Sequence, residues 1–240
     1  MKLRAAAAVL TIAIALLAAA PASAGTQRVT IRTEDGVSLA ATWYEPGARQ
    51  APAVILVHML RQSRHDWDPL ATRLAAEGIG ALAIDLRGHG DSGGSIDGGD
   101  TPDYSGLVRD VTAARRYLAS RGDVQQAHVG IAGASLGANL AALEAAGDPT
   151  IASLALLSPS LDYRGLHIDA AVKKYGGRPI LLVSSDDDPY ATRTVHDLKK
   201  AGTGIREAVV LSRAGHGTVM LGRDQDLART LVDWFRRTLL

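Results

Sequence analysis

The alternation of two kinds of apolar segment beyond residue 50 restricts the fold most. Short runs dense in Val, Ile, Leu and Ala occupy residues 53–58, 80–86, 127–132, 151–157, 179–183 and 205–211. Runs of that length without polar alternation read as strands buried on both faces, as in a parallel sheet. Between and after them lie longer stretches with apolar residues at helical spacing: 68–77, 104–120, 136–146, 166–175, 190–200 and 225–239. In 104–120, for example, Leu107, Val108, Val111, Ala114 and Leu118 fall near one face. Ahead of this series, residues 29–33 and 37–43 flank Asp35-Gly36, a hairpin turn signal, and predict two antiparallel opening strands. The order predicts an α/β chain: a mostly parallel eight-stranded sheet, doubly wound, with helices on both faces.

Turn residues mark the joints. Asp68-Pro69 predicts an N-cap followed by proline in the first helical position. Gly78, Gly122 and Gly147-Asp148-Pro149 predict helix ends. Residues 87–99 are glycine-rich and predict a loop.

The first 24 residues follow different rules. Lys2 and Arg4 precede an apolar run from Ala5 to Ala20, broken by Pro21 and followed by Ala22-Ser23-Ala24. These are the parts of a secretory signal peptide. The run falls short of the ~20 residues needed to span a bilayer. The expectation is an exported chain, periplasmic or secreted, cleaved to begin at Gly25, with residues 25–240 as its folded domain and no stable membrane insertion after cleavage. The alternative is an uncleaved membrane anchor. Cysteine is absent, which excludes thiol catalysis and a disulfide framework. The formal net charge is +1, and loss of Lys2 and Arg4 turns it to −1. That balance is unlike a nucleic-acid binder.

Gly133-Ala134-Ser135-Leu136-Gly137 is the sharpest local signal. About 0.1 such five-residue matches arise by chance in a chain of this length, so the setting must supply the rest. It lies between a predicted strand and a predicted helix, the context of a nucleophile elbow. Small residues at 133 and 137 allow the strand and helix to approach, and the turn lifts Ser135 above the carboxyl edge of the sheet. The bland alternative is a serine that merely caps the helix.

A serine hydroxyl needs a base. His216, in Gly215-His216-Gly217 beyond the last strand, is the favoured candidate, and His58, at a strand end, is its competitor. His128 lies within a strand and reads as structural. The base needs an acid. Three adjacent carboxylates repel one another, so the loop Asp186-Asp187-Asp188-Pro189 should have a use for them. Asp188 is favoured, Asp187 is second and Asp162 is the outside alternative. Asp188 also suits an N-cap, and the two roles look hard to combine in one side chain. The chain order is then Ser135, Asp188, His216.

Together, residues 54–58, 83–92 and Gly133–Gly137, with Asp188-Pro189 and Gly215–Gly217, resemble the α/β-hydrolase superfamily over nearly the whole segment after residue 25. The resemblance implies that Asp85–Ser92 is a structural loop, so His89 is not catalytic. It also implies an oxyanion hole built from the backbone N–H groups of Leu136 and Met59. Members usually carry glycine directly after the strand histidine; here His58 is followed by Met59 and Leu60, which narrows the acyl side and makes it more apolar. Only one short helix is expected between residues 157 and 179, a minimal cap resembling small esterases and dienelactone-hydrolase-like enzymes, while the general style also resembles serine aminopeptidase-like members.

The expected activity is hydrolysis of a small-molecule carboxylic ester through an acyl-enzyme, without metal or organic cofactor. Thioesterase, amidase or peptidase chemistry on the same triad is the alternative. A non-catalytic exported binding protein is the alternative of another class. An aspartate-nucleophile dehalogenase is disfavoured by Ser135, and zinc hydrolysis by the lack of paired histidines at ligand spacing.

Overall fold

The structure, a computed structural model, describes residues 25–96 and 104–240. The expected signal peptide, and with it the question of export, lies outside the described residues. The opening hairpin pairs β1 (Thr26–Arg32) with β2 (Ser38–Tyr44), Thr26 opposite Tyr44 and Arg32 opposite Ser38. Then follow β3 (Ala51–Val57), α1 (Asp68–Ala76), β4 (Gly80–Ile84), α2 (Val108–Ser120), β5 (Val124–Ala134) and α3 (Leu136–Gly147). The second half adds β6 (Ile151–Leu157), a small hairpin β7 (Asp162–Tyr163) with β8 (Leu166–His167), and α4 (Asp169–Tyr175). It closes with β9 (Ile180–Ser185), α5 (Pro189–Lys199), β10 (Arg206–Leu211), α6 (Val219–Arg223) and α7 (Leu227–Leu239).

Eight strands form one sheet in the order β1-β2-β4-β3-β5-β6-β9-β10, parallel from β4 onward. The period-two alternation of side chains splits each buried strand between two cores. In β3, Ala53, Ile55 and Val57 pack with α2, α3 and α5, whereas Val54 and Leu56 pack with α1 and α7. In β6, Leu154 and Leu156 face the first core and Ala155 and Leu157 the second. Helices therefore cover both faces. Because β4 and β5 lie on opposite sides of β3, the winding reverses at β3, which opens a crevice beyond the carboxyl ends of β3 and β5.

Three local expectations need correction. Residues 166–175 do not form one helix: a hairpin occupies Asp162–His167, and α4 starts at Asp169. The turn at Arg164 and Gly165 has φ of 50° and 91°, the left-handed pair of a type I′ hairpin. Asp68 is not an N-cap but the first residue of α1, following a 3₁₀ turn over Arg64–Trp67. Its carboxylate accepts from the Tyr44 hydroxyl at 2.5 Å and pairs with His65 at 3.0 Å. Finally, α6 is an element that sequence periodicity did not reveal.

Candidate active site

The elbow forms where expected. β5 ends at Ala134, α3 begins at Leu136, and Ser135 between them has φ 51° and ψ −115°. A non-glycine residue in that region carries about 1–3 kcal/mol of strain, so its surroundings must impose the turn. They do so by close packing. A Cβ at position 133 would stand 2.1 Å from the Gly137 carbonyl oxygen, and one at 137 would stand 2.2 Å from that of Val57. The Ser135 amide donates to the Leu157 carbonyl at 2.8 Å, and the Ser135 carbonyl accepts from Ala138 and Asn139. Only the side chain is left free, at the crevice.

His216 reaches it. The Ser135 hydroxyl lies 2.8 Å from His216 Nε2, and His216 Nδ1 lies 2.6 Å from Asp188 Oδ2. A carboxylate can only accept, so the proton sits on Nδ1, and Nε2 accepts from the serine hydroxyl. Asp188 is mostly buried, while His216 is half exposed. The other Asp188 oxygen accepts from the Ala191 amide at 3.2 Å and caps α5, so one side chain combines the cap with the His216 contact, two positions that sequence reasoning found hard to combine.

The histidine loop is fastened from several sides. Asp186 accepts from the Arg213 amide at 2.6 Å. The Ser185 hydroxyl accepts from Ala214, and Asp187 accepts from Gly215 at 3.0 Å and from the Ser185 hydroxyl at 2.5 Å. Those two bonds to Asp187, the serine's being the stronger, hold its carboxyl below the usual range. Asp187 thus braces the loop and does not contact His216 among its hydrogen bonds. Past the histidine, the Ser158 hydroxyl accepts from Gly217 at 3.0 Å and the Thr218 hydroxyl donates to Asp66 at 2.5 Å. Ser158, itself at φ 48°, and Asp66 were not singled out by sequence; isolated residues in loops carry no pattern to find them by.

His58 is removed from contention. It is fully buried; its Nδ1 bonds to the Met59 carbonyl at 2.7 Å, and its Nε2 accepts from the Leu86 amide at 3.0 Å. Burial pushes its pKa down to about 4. Asp162 accepts from Gly165 inside the β7–β8 turn and takes no part in the constellation. His128 bonds to the Leu239 carbonyl, a structural role as expected. Asp85–Ser92 is likewise scaffold: buried Asp85 takes the Arg64 guanidinium and amide, while the Ser92 hydroxyl donates to the Asp85 carbonyl at 2.7 Å and accepts from Ala40.

The Leu136 N–H heads α3 and has no intrahelical partner. The Met59 N–H donates to no backbone oxygen among the described residues. The Met59 sulfur lies against Gly217, beside the histidine. A cleft of about 560 Å³ opens beyond Leu60, lined also by Arg61, His89, Ile96, Tyr104 and Arg164. A second, of about 310 Å³, is lined by Met59, Pro69, Val219 and Leu221 with Asp66 and Thr218. Over α3, the Asn139 amide donates to the carbonyls of Ser160 and Leu166, which seats the small cap on the helix that carries the elbow.

The family model described as "Serine aminopeptidase, S33" matches residues 48–182. The uncharacterized protein Rv2307c of Mycobacterium tuberculosis is 28% identical over 233 residues, covering 88% of this chain and 78% of its own. The bifunctional esterase/perhydrolase DCH of Acinetobacter calcoaceticus is 35% identical over 98 residues, which is 41% of this chain and 34% of that protein. Among solved structures, the dienelactone hydrolase of Anabaena variabilis is 21% identical and superposes with a TM-score of 0.74 over 90% of this chain and 99% of its own.

Proposed function

The chain belongs to the serine aminopeptidase S33 family and is a serine hydrolase with the α/β-hydrolase fold; from that premise we propose that it hydrolyses carboxylic esters with Ser135 as nucleophile, His216 as base and Asp188 as the acid that orients it. The observation that carries this reading is the continuous relay of hydrogen bonds, 2.8 Å from Ser135 to His216 and 2.6 Å from His216 to Asp188.

The geometry supports the following steps. Ser135 Oγ attacks the acyl carbon while its proton passes to His216 Nε2. The imidazolium is held by the Asp188 carboxylate. The carbonyl electron pair moves onto oxygen, and the N–H groups of Leu136 and Met59 are assigned to receive it. Collapse of the intermediate expels the alcohol, which takes the proton from Nε2. Water, activated by the same nitrogen, then releases the acid and restores Ser135. An ester is favoured over a peptide because the cap is small and the site half open, and because DCH, matched over part of the chain, is an esterase.

Purified protein with short p-nitrophenyl esters, beside Ser135→Ala, tests the reading. The variant is expected to lose about 10³-fold or more of kcat/KM and to fail to react with a fluorophosphonate probe. Equal hydrolysis by both proteins would remove Ser135 from the chemistry. Mass spectrometry of the exported protein tests the expected start at Gly25.

A further inference from the structure

The cleft beyond Leu60 has a lining that ester cleavage alone does not require. Its apolar wall is Leu60, Ile96 and the Tyr104 ring, yet Arg61 and Arg164 also line it. Neither guanidinium has a carboxylate partner among the described residues. Arg164 Nη1 donates to the Tyr104 hydroxyl at 2.8 Å and the guanidinium lies 5.4 Å from the centre of that ring, an arrangement that fixes its position while no carboxylate among the described residues pairs with it.

Both arginines are held on left-handed backbone, with φ 62° at Arg61 and 50° at Arg164. Arg164 takes the first central position of the β7–β8 turn, where Asn, Asp or Gly fit with least strain. The turn geometry itself does not call for a long cationic side chain there. The two charges also converge. Both side chains line one cleft from different loops, Arg61 from the segment after β3 and Arg164 from the β7–β8 tip.

The position is suited to substrate. Arg61 lies two residues past Met59, on the loop leaving β3, and the carbonyls of Val57 and His58 rest against Gly137 in the elbow. β3, β4 and β5 run parallel, so their following loops gather at the same sheet edge as Ser135. The second cleft, which Met59 itself lines, is mostly apolar.

We propose that Arg61 and Arg164 form an anion subsite, and that the ester cleaved at Ser135 carries a carboxylate on that side and an apolar group on the other. The second half of this rests on the ester-hydrolase reading above. Guanidinium forks match a carboxylate in a paired, planar geometry and keep their charge at any working pH, so discrimination is by charge as well as shape.

The test separates binding from turnover. In full-length Ser135→Ala protein, monomethyl glutarate is titrated against dimethyl glutarate by ligand-observed NMR. The monoanion is expected to bind about tenfold tighter or more, and Arg61→Gln with Arg164→Gln to abolish the preference. In the active protein, kcat/KM for p-nitrophenyl hemiglutarate relative to p-nitrophenyl valerate is expected to fall about tenfold in either single variant, with valerate hydrolysis kept within about twofold as the check on folding. Added salt should shrink the preference. Equal affinity for the two glutarates, or a preference that survives both substitutions, overturns the subsite. Valerate turnover without charge preference removes the subsite and keeps the esterase; arginine-dependent monoanion binding with no turnover of either ester keeps the subsite and removes the esterase.

Discussion

Asp188 has two carboxylate oxygens aimed in different directions, and each has a partner: His216 on one and the Ala191 amide on the other. This makes its two substitutions informative in different ways. Asparagine is also a good N-cap, so Asp188→Asn should leave the urea midpoint almost unchanged while kcat/KM falls about 10³–10⁴-fold, because an amide no longer fixes the tautomer or stabilises the imidazolium. Alanine loses the cap too and should cost about 1 kcal/mol of stability besides. Asp187→Asn should act mildly, since that side chain braces Gly215 and Ser185 without a hydrogen bond to His216. Sequence reasoning could single out Ser135, His216 and Asp188, which the structure brings within hydrogen-bond reach of one another, because each follows a strand at the carboxyl edge. It could not resolve the shared role of Asp188, because spacing says nothing about which way two oxygens point. The brace of Ser158 on Gly217 was equally illegible, being a contact between residues 59 positions apart with no local signature.

At the level of elements, the elbow depends on backbone approaching backbone. Gly133→Ala would place a methyl 2.1 Å from the Gly137 oxygen, an atom that cannot rotate away. The expected loss is about 3 kcal/mol in urea unfolding, with activity falling as β5 and α3 separate. Gly122→Ala, with nothing within 4 Å of the new carbon, is the matched control and should be close to neutral. The long elements were readable because burial on both faces leaves continuous apolar strands and one-sided helices. The short ones were not. Ile168, Val172 and Tyr175 are buried at helical spacing, and that pattern drew the expected helix back through Leu166. Two-residue strands offer too few positions to oppose it; only Arg164-Gly165 marks the turn. Similarly, the five residues of α6 are fewer than two helical turns, too few for a period.

For the whole molecule, the buried imidazole of His58 ties stability to pH. The unfolded chain takes up its proton near the ordinary value of 6.5, whereas the folded protein resists until about 4. In that window the unfolded state binds more protons, so stability must fall as pH drops from 6.5 toward 4, by at most about 3 kcal/mol. Urea midpoints measured between about pH 7 and about pH 4.5 should slope accordingly, and His58→Gln should flatten the slope even though it lowers stability throughout. Carboxylates with lowered pKa, Asp35 beside Arg87 among them, act in a separate window: their contribution is present above the unfolded value of 3.8 and is lost only below it.

The placement of the proposed triad has a consequence for how such a protein diversifies. Ser135, Asp188 and His216 follow β5, β9 and β10, with Ser158 after β6 supporting the histidine loop. Most of the lining of the larger cleft comes instead from segments after β3 and β4 and from the β7–β8 tip. Heredity can therefore edit these two parts of the chain almost independently. On the proposed reading, descendants of one ancestor can explore new substrates by rewriting the loops around residues 60, 96 and 164 while inheriting an unaltered reaction, with Met59, which lies next to Leu60 in the chain and against Gly217 in space, as the position where a change of diet would also be felt by the chemistry.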